Sequence, residues 1–331
     1  MTLSIRNTRR NTWRNAGLVA LLLMTTLGLT GCDLSKTVLS QALKGFVRYF
    51  DTPSSNGSEL TRISDRVLTF NWYFDRTLII ETDDGLVVID SFTEHLSRAL
   101  RKALDEAGIT APVNTLIYTH YHIDHTAGGS ELEPENVICH RKCEEYWNQL
   151  PAEDVAGVLR PTQTVTGDRQ LEIGGVEIDL VFLNRSHTDT MYAIHLPSEG
   201  VLFAADTVGL NVMLPAGGVD IYMPAYLAAL DRLQTIDFDT FVSSHFGWGT
   251  KQEYIEAADL QRDGYRWARE ALAQFGTDES GISMIQDEER FLAAFSFFYD
   301  EMEAKYGDWH GFDAMILNTF MNNIIAITVG S

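Results

Sequence analysis

Three imidazoles and a carboxylate crowd into one run of six residues, His120-Tyr121-His122-Ile123-Asp124-His125. Imidazole nitrogen and carboxylate oxygen together suit zinc, and less often iron or manganese. Four such donors on so short a run cannot all reach one tetrahedral ion, so the run implies two ions that need further partners. A polar loop with solvated histidines is the bland alternative, and three histidines beside an acid weigh against it. Three more ligand-type side chains each end an apolar run. Val181-Phe182-Leu183 leads into Asn184-Arg185-Ser186-His187, Val201-Leu202-Phe203-Ala204-Ala205 into Asp206, and Phe241-Val242-Ser243-Ser244 into His245. Taken singly, His187 and His245 read as hydrogen-bonded loop histidines and Asp206 as a helix N-cap. Beside the first run they read as ligands gathered on one edge of a sheet.

The elements that must position these residues are legible from periodicity. Val113 to Tyr118, apolar and β-branched, predicts a buried strand that delivers the histidine run, and Gly128-Gly129 loosens the chain after it. Val67 to Tyr73, Thr77 to Glu81 and Leu86 to Ile89 predict a strand meander, with turns at Asp75-Arg76 and Asp83-Asp84-Gly85. Glu94 to Ala107 has helical spacing and stops at Gly108. Leu171 to Ile173 and Val176 to Leu183 form a hairpin about Gly174-Gly175, and Tyr226 to Leu233 and Tyr254 to Phe275 are helices. A β-rich start followed by mixed units favours an α/β (α+β) sandwich over a doubly wound parallel sheet.

His-x-His-x-Asp-His followed by an isolated His, an Asp and a last His resembles the metallo-β-lactamase-fold superfamily of metallohydrolases, from about Val67 to about Asp259. Five of the nine histidines fall on the pattern. The resemblance implies a four-layer αββα sandwich with a dinuclear site at one edge of its sheets. Carried over position by position, it implies that His120, His122 and His187 hold one metal and that Asp124, His125 and His245 hold the other. Asp206 bridges them. The segment Gly85 to Ser91 is similar to an early strand of that family whose acid supports the ligand loop, which makes Asp90 a supporting residue. The expected domain spans residues 59–275, with a helical extension over 276–331.

Arg6, Arg9, Arg10 and Arg14 precede the apolar stretch Ala16 to Leu29, and Leu29-Thr30-Gly31-Cys32 follows. A basic start, a short apolar core and small residues before the cut mark a secretory signal over 1–31. The last four residues resemble a bacterial lipobox, which implies lipid on Cys32. A spacer over 32–58 ends in the turn-rich Thr52-Pro53-Ser54-Ser55-Asn56-Gly57. Residues 1–31 carry four arginines and no acid, so their removal takes the net charge from −21 to −25. So acidic a surface repels nucleic acid and anionic headgroups, leaving lipid rather than charge as the membrane attachment. The expected location is the cell envelope, facing the periplasm or exterior.

Cys139 and Cys143 stand four apart in a compartment that permits disulfides. So short a loop closes poorly, and unpaired buried thiols are the expectation, with His140 between them on the surface. Glu288 to Tyr306 and Phe312 to Ile327 read as helices, and the stripe of Phe291, Phe295, Phe298 and Met302 reads as core. The last segment, short and marked by Asn318, Asn322 and Asn323, is too short to span a bilayer. Tyr222 and Tyr226 fall where relatives of the family place pocket residues.

The expected chemistry is hydrolysis of a small molecule by an enzyme with two zinc ions per chain. Metal binding brings the pKa of water towards about 7, so a nucleophile exists without a serine or cysteine. Asp124, beside the nucleophile and the leaving group, carries the proton. No Gly-x-Ser-x-Gly elbow or glycine-rich phosphate loop competes. Asp206 as a bridge resembles glyoxalase II and lactonase relatives, which favours esters, thioesters, lactones or amides. β-Lactam cleavage is the alternative, and an iron-dependent persulfide dioxygenase, with a very similar ligand set, is a second. A metal-binding lipoprotein without activity is disfavoured, because no ligand is missing.

Overall fold

Seven strands hydrogen-bond in chain order into one sheet: β1 (Ser58–Arg62), β2 (Val67–Trp72), β3 (Asp75–Thr82), β4 (Gly85–Ile89), β5 (Val113–Ile117), β6 (Asn136–His140) and β7 (Gln163–Val165). The first four run antiparallel and β4 to β7 run parallel. The computed structural model describes residues 57–214, 221–276, 284 and 287–330. The signal segment, Cys32 and nearly all of the 32–58 spacer lie outside these residues.

Strand alternation sorts the side chains between two cores. Leu78, Ile80, Val87 and Ile89 face the second sheet. Ile79, Leu86 and Val88 face the helix α1 (Glu94–Glu106), whose Leu96, Leu100 and Leu104 make a stripe at helical spacing. Because both faces are covered, β4 reads as an unbroken apolar run after Gly85. Thr93 caps α1 by accepting from the Leu96 amide, and Gly108 leaves it at φ +76°.

The second sheet has the order β13-β12-β11-β10-β9-β8. Its strands are β8 (Arg169–Ile173), β9 (Val176–Phe182), β10 (Tyr192–Leu196), β11 (Val201–Phe203), β12 (Thr240–Val242) and β13 (Trp248–Thr250). Four more helices complete the sandwich: α2 (Ile123–Thr126), α3 (Gly129–Leu132), α4 (Cys143–Trp147) and α5 (Met223–Gln234). The long α6 (Lys251–Phe275) opens on a capping box between Thr250 and Glu253. Leu230 and Leu233 of α5 and Tyr254, Ala257 and Ala258 of α6 share one core with Phe203 and Phe241 of the second sheet. The layers run helix, sheet, sheet, helix, the expected αββα order.

Two further helices, α7 (Glu288–Tyr306) and α8 (Phe312–Val329), form the C-terminal extension and pack on α6. The Phe298 ring lies 5.0 Å from that of Phe320, and both are fully buried with Met302. Phe291 and Phe295, half-buried, also meet Phe320, at 5.8 and 5.5 Å, so the stripe is core at Phe298 and Met302 and partly exposed at its start. Asp263 of α6 accepts hydrogen bonds from Lys305 and Tyr306 of α7, both 2.8 Å.

Four expectations need correction. Cys139 and Cys143 form a disulfide, with their Cα atoms 6.4 Å apart. The turn between β6 and α4 aims both side chains into the outer core, which their spacing alone does not reveal. His140, next along the strand, therefore points the other way and is buried, stacked on Phe182 at 5.2 Å. The first hairpin turns at Tyr73-Phe74, two residues earlier than expected, which draws Asp75 into β3. Finally, α8 has 18 residues and is long and apolar enough to cross a membrane by length and composition. Its Met315, Ile316, Phe320 and Ile324 are buried.

Candidate metal centre

The site grows from the ends of parallel-running strands. β4 and β5 are parallel, as are β11 and β12, and β9 shares their direction because β10 opposes both of its neighbours. Asp90 follows β4, the histidine run follows β5, His187 follows β9, Asp206 follows β11 and His245 follows β12. The single-turn helix α2 carries Asp124 and His125, with His122 as the residue before its first turn.

All seven sequence-predicted ligands meet around the Asp206 carboxylate. Its Oδ2 lies 3.3 Å from His120 Nε2, 3.1 Å from His125 Nε2 and 3.3 Å from His187 Nε2. Its Oδ1 lies 3.0 Å from His245 Nε2. His122 Nδ1 sits 3.1 Å from His187 Nε2, and Asp124 Oδ2 sits 3.8 Å from His125 Nε2. Donor atoms of His120, His122, His187 and Asp206 lie within 4.8 Å of one another, as do those of Asp124, His125 and His245. Each group could hold a metal ion. Asp124 is the exposed member, at the rim with its side chain 65% accessible.

Asp90 is spent on support. Its Oδ1 accepts from the Thr119 amide at 2.7 Å, and its Oδ2 accepts from Thr119 Oγ1 at 2.8 Å and faces His125 Nδ1 at 2.9 Å. A carboxylate only accepts, so His125 keeps a proton on Nδ1, and Nε2 is left as the nitrogen that could hold a metal. Thr119, having given its own proton to Asp90, accepts from His120 Nδ1 at 3.0 Å and leaves that ring's Nε2 bare. One buried acid thus sets two tautomers.

The electrostatics follow from this crowding. Burial, and then the neighbouring His125, hold the His120 imidazole well below the ordinary histidine range. Burial opposes charge on His125 and His245, yet nearby carboxylates win. Asp206 and Asp90 hold His125 well above the usual range, and Asp206 and Asp75 raise His245 to about 9. Burial also opposes ionisation of Asp206, and the surrounding histidines nevertheless hold it well below the carboxylate range. His120 Nε2 and His125 Nε2 are sealed from solvent and both face the Asp206 carboxylate, at 3.3 and 3.1 Å. Buried imidazole nitrogens gathered on a shared carboxylate are a donor set that could hold a metal ion.

Three supporting residues escaped sequence reasoning. Thr119 had no distinguishing signal. Asp75 Oδ1 lies 3.0 Å from His245 Nδ1, a contact made where β3 meets the end of β12. Ser244 Oγ donates to Asp206 Oδ1 and accepts from the Asp206 amide, both at 3.1 Å. That bracket holds Asp206 at φ +48°, a left-handed conformation a non-glycine residue seldom adopts. Ser244 did carry a signal, its place beside His245. Tyr226 is buried and donates its hydroxyl to the Thr207 carbonyl, bracing the same turn. Tyr222 precedes α5, with the Arg185 guanidinium 5.4 Å over its ring.

Residues 74–245 match the model of the metallo-beta-lactamase superfamily. The match covers just over half of the chain, which therefore belongs to that superfamily. Among characterised relatives, it is 29% identical over 256 residues to the 2,4-dinitroanisole O-demethylase subunit alpha of Nocardioides sp. (strain JS1661), covering 74% of this chain and 72% of that one. It is 26% identical over 264 residues to the metallo-beta-lactamase type 2 of Bacillus sp. (strain 170), covering 76% and 99%. A double mutant of the sec-alkyl sulfatase PisA1 superposes with a TM-score of 0.62 at 15% identity. That match covers 86% of this chain, which spans about half the length of the sulfatase.

Proposed function

We propose that this chain is a dinuclear zinc-dependent hydrolase that cleaves an ester, thioester, lactone or amide of a small molecule. The observation that carries it is the Asp206 carboxylate within 3.0 to 3.3 Å of four imidazole nitrogens drawn from three separate segments. In this reading His120, His122 and His187 hold one ion, Asp124, His125 and His245 hold the other, and Asp206 touches both. Bound zinc supplies acidity to water and a seat for negative charge at neutral pH. The chain's own residues do the rest. Asp90 and Thr119 keep the histidines in the ligating tautomer. Asp75 and Ser244 fix His245 and Asp206. Asp124, exposed at the rim, carries the proton to the leaving group.

Two further points belong to the same proposal. The protein is exported and anchored by lipid on Cys32. Its substrate is a small molecule rather than nucleic acid, given the acidic surface. The relatives' names nominate rival substrates: a nitroaryl methyl ether, a β-lactam and a secondary alkyl sulfate. The test is a turnover screen of purified wild type on those three beside an aryl ester, a thioester and a lactone. Turnover led by the acyl compounds, and lost in Asp206→Ala, is expected. Turnover of a cephalosporin alone identifies a β-lactamase instead. Oxygen uptake with a thiol persulfide, supported by bound iron and without any hydrolysis, refutes the hydrolase.

A further inference from the structure

Two ligand-bearing loops come from different sheets, and one five-residue helix grips both. The first loop is held at Tyr121, which stands between His120 and His122, so any shift of it moves both ligands. Its amide donates to Thr190 Oγ1 at 3.2 Å, and its carbonyl accepts from Trp147 Nε1 at 2.7 Å. Its ring stacks face to face on Tyr146, centroids 3.9 Å apart and planes 8° from parallel. The second loop is held at Asp189, two residues past His187. Its carboxylate accepts from Lys142 Nζ at 2.6 Å and from Tyr146 Oη at 2.8 Å. Tyr146 therefore touches both loops at once, one through its ring and the other through its hydroxyl.

Tyr146 and Trp147 belong to α4, and Lys142 is the residue before it. A helix of five residues does not hold itself in water. This one is fastened at both ends. The Cys139–Cys143 disulfide ties its first residue to β6, and both sulfurs are fully buried. Its last residue, Trp147, is also fully buried, edge-on to Tyr118 at 5.7 Å. Metal ligands must be held within about 0.5 Å of a working geometry, and residues behind the ligands supply that precision.

Resting on the metal-centre reading above, we infer that α4 is a clamp setting the spacing of the His120/His122 loop against the His187 loop. Tyr146 is its positioning residue, and the Cys139–Cys143 disulfide is its fastening. The clamp acts on the ion held by His120, His122 and His187 and leaves the Asp124, His125 and His245 group untouched.

The experiment loads full-length protein with cobalt(II) and records two quantities besides activity: the visible absorption spectrum and the rate of cobalt release to a chelator. Tyr146→Leu removes both grips, Tyr146→Phe keeps the stack and loses only the Asp189 bond, and Lys142→Met removes the other Asp189 bond from a half-exposed side chain. Tyr146→Leu is expected to hold about one cobalt of two roughly 10–100 times more weakly and so release it faster, with an altered spectrum, as for other residues behind metal ligands. Tyr146→Phe recovers part of the loss, and the paired change Cys139→Ala and Cys143→Ala resembles Tyr146→Leu. If Tyr146→Leu fails to fold, Lys142→Met must still speed release several-fold. A merely structural helix lowers the melting temperature while spectrum and release rate stay at wild-type values, and that result overturns the clamp. Wild type that binds no cobalt overturns the clamp and the metal centre together, whereas wild type that binds it with all folded variants alike overturns the clamp alone.

Discussion

Replacing Asp90 with asparagine changes one oxygen to an amide nitrogen and should disarm two ligands it does not carry. Asparagine tolerates the φ of +60° at this position much as aspartate does. Its carbonyl can still accept from the Thr119 amide, which Asp90 now binds at 2.7 Å. Its NH₂ group then faces Thr119 Oγ1 and His125 Nδ1, where the carboxylate accepted at 2.8 and 2.9 Å. Both partners can reverse and accept, so no buried polar group is stranded and the fold survives. The cost falls on the tautomers. His125 moves its proton to Nε2, and Thr119, now accepting from the amide, turns its own hydrogen towards His120 Nδ1 and drives that proton to Nε2 too. Both ligating nitrogens are then blocked unless the network is rearranged. Residues behind metal ligands are worth 10–100-fold in affinity, or about 1.4 to 2.7 kcal/mol. The assay is zinc titration against a chromophoric chelator at fixed pH, with circular dichroism melting as the control for folding. Asp90→Asn with wild-type zinc affinity would refute the tautomer relay, whatever its melting temperature.

Three other outcomes follow from different parts of the molecule. Burial opposes ionisation of Asp263, but hydrogen bonds from Lys305, Arg266 and Tyr306 hold its carboxyl below the ordinary aspartate range. A depressed carboxylate stabilises the fold above its unfolded value, and that stability is lost as pH falls through the folded value. Asp263→Asn should therefore lower stability in urea unfolding at pH 7, with the gap to wild type closing below about pH 4; a gap that widens in acid contradicts this. Phe298→Ala should cost about 3–5 kcal/mol because the ring is fully buried, yet leave metal content unchanged in the folded fraction; loss of metal there would make the extension part of the site. Cys32→Ser should move the protein from the membrane to the soluble fraction and abolish palmitate labelling, since several acyl chains anchor stably where one does not; an equally membrane-bound mutant refutes lipid attachment.

What was legible in the sequence was local. The His120-to-His125 spacing fixes four donors within one loop, and the apolar runs ending at Leu183, Ala205 and Ser244 announce where the distant donors project. The strand meander from Val67 to Ile89 and the helical spacing from Glu94 to Ala107 were legible too, and the structure has β2 to β4 and α1 there. What was hidden depends on how separate strands register. Asp75 reaches His245 only because the first residue of β3 bridges to the chain just past β12. The Thr119 relay requires β4 and β5 to be neighbours, which no spacing between residues 90 and 119 declares. The disulfide and the buried His140 share one cause. A strand sends Cys139 outward and His140 inward, and the turn before α4 returns Cys143 to the outer side, an orientation that depends on the tertiary path.

The most direct measurement is metal content by mass spectrometry on protein purified without added metal, paired with anomalous scattering at the zinc edge from crystals of the same preparation. Close to two zinc ions per chain are expected, one beside His120, His122 and His187, one beside Asp124, His125 and His245, with Asp206 reaching both. His122→Ala should drop the content by about one ion and abolish hydrolysis. A single iron per chain, or zinc retained in full by His122→Ala with turnover intact, would contradict the account.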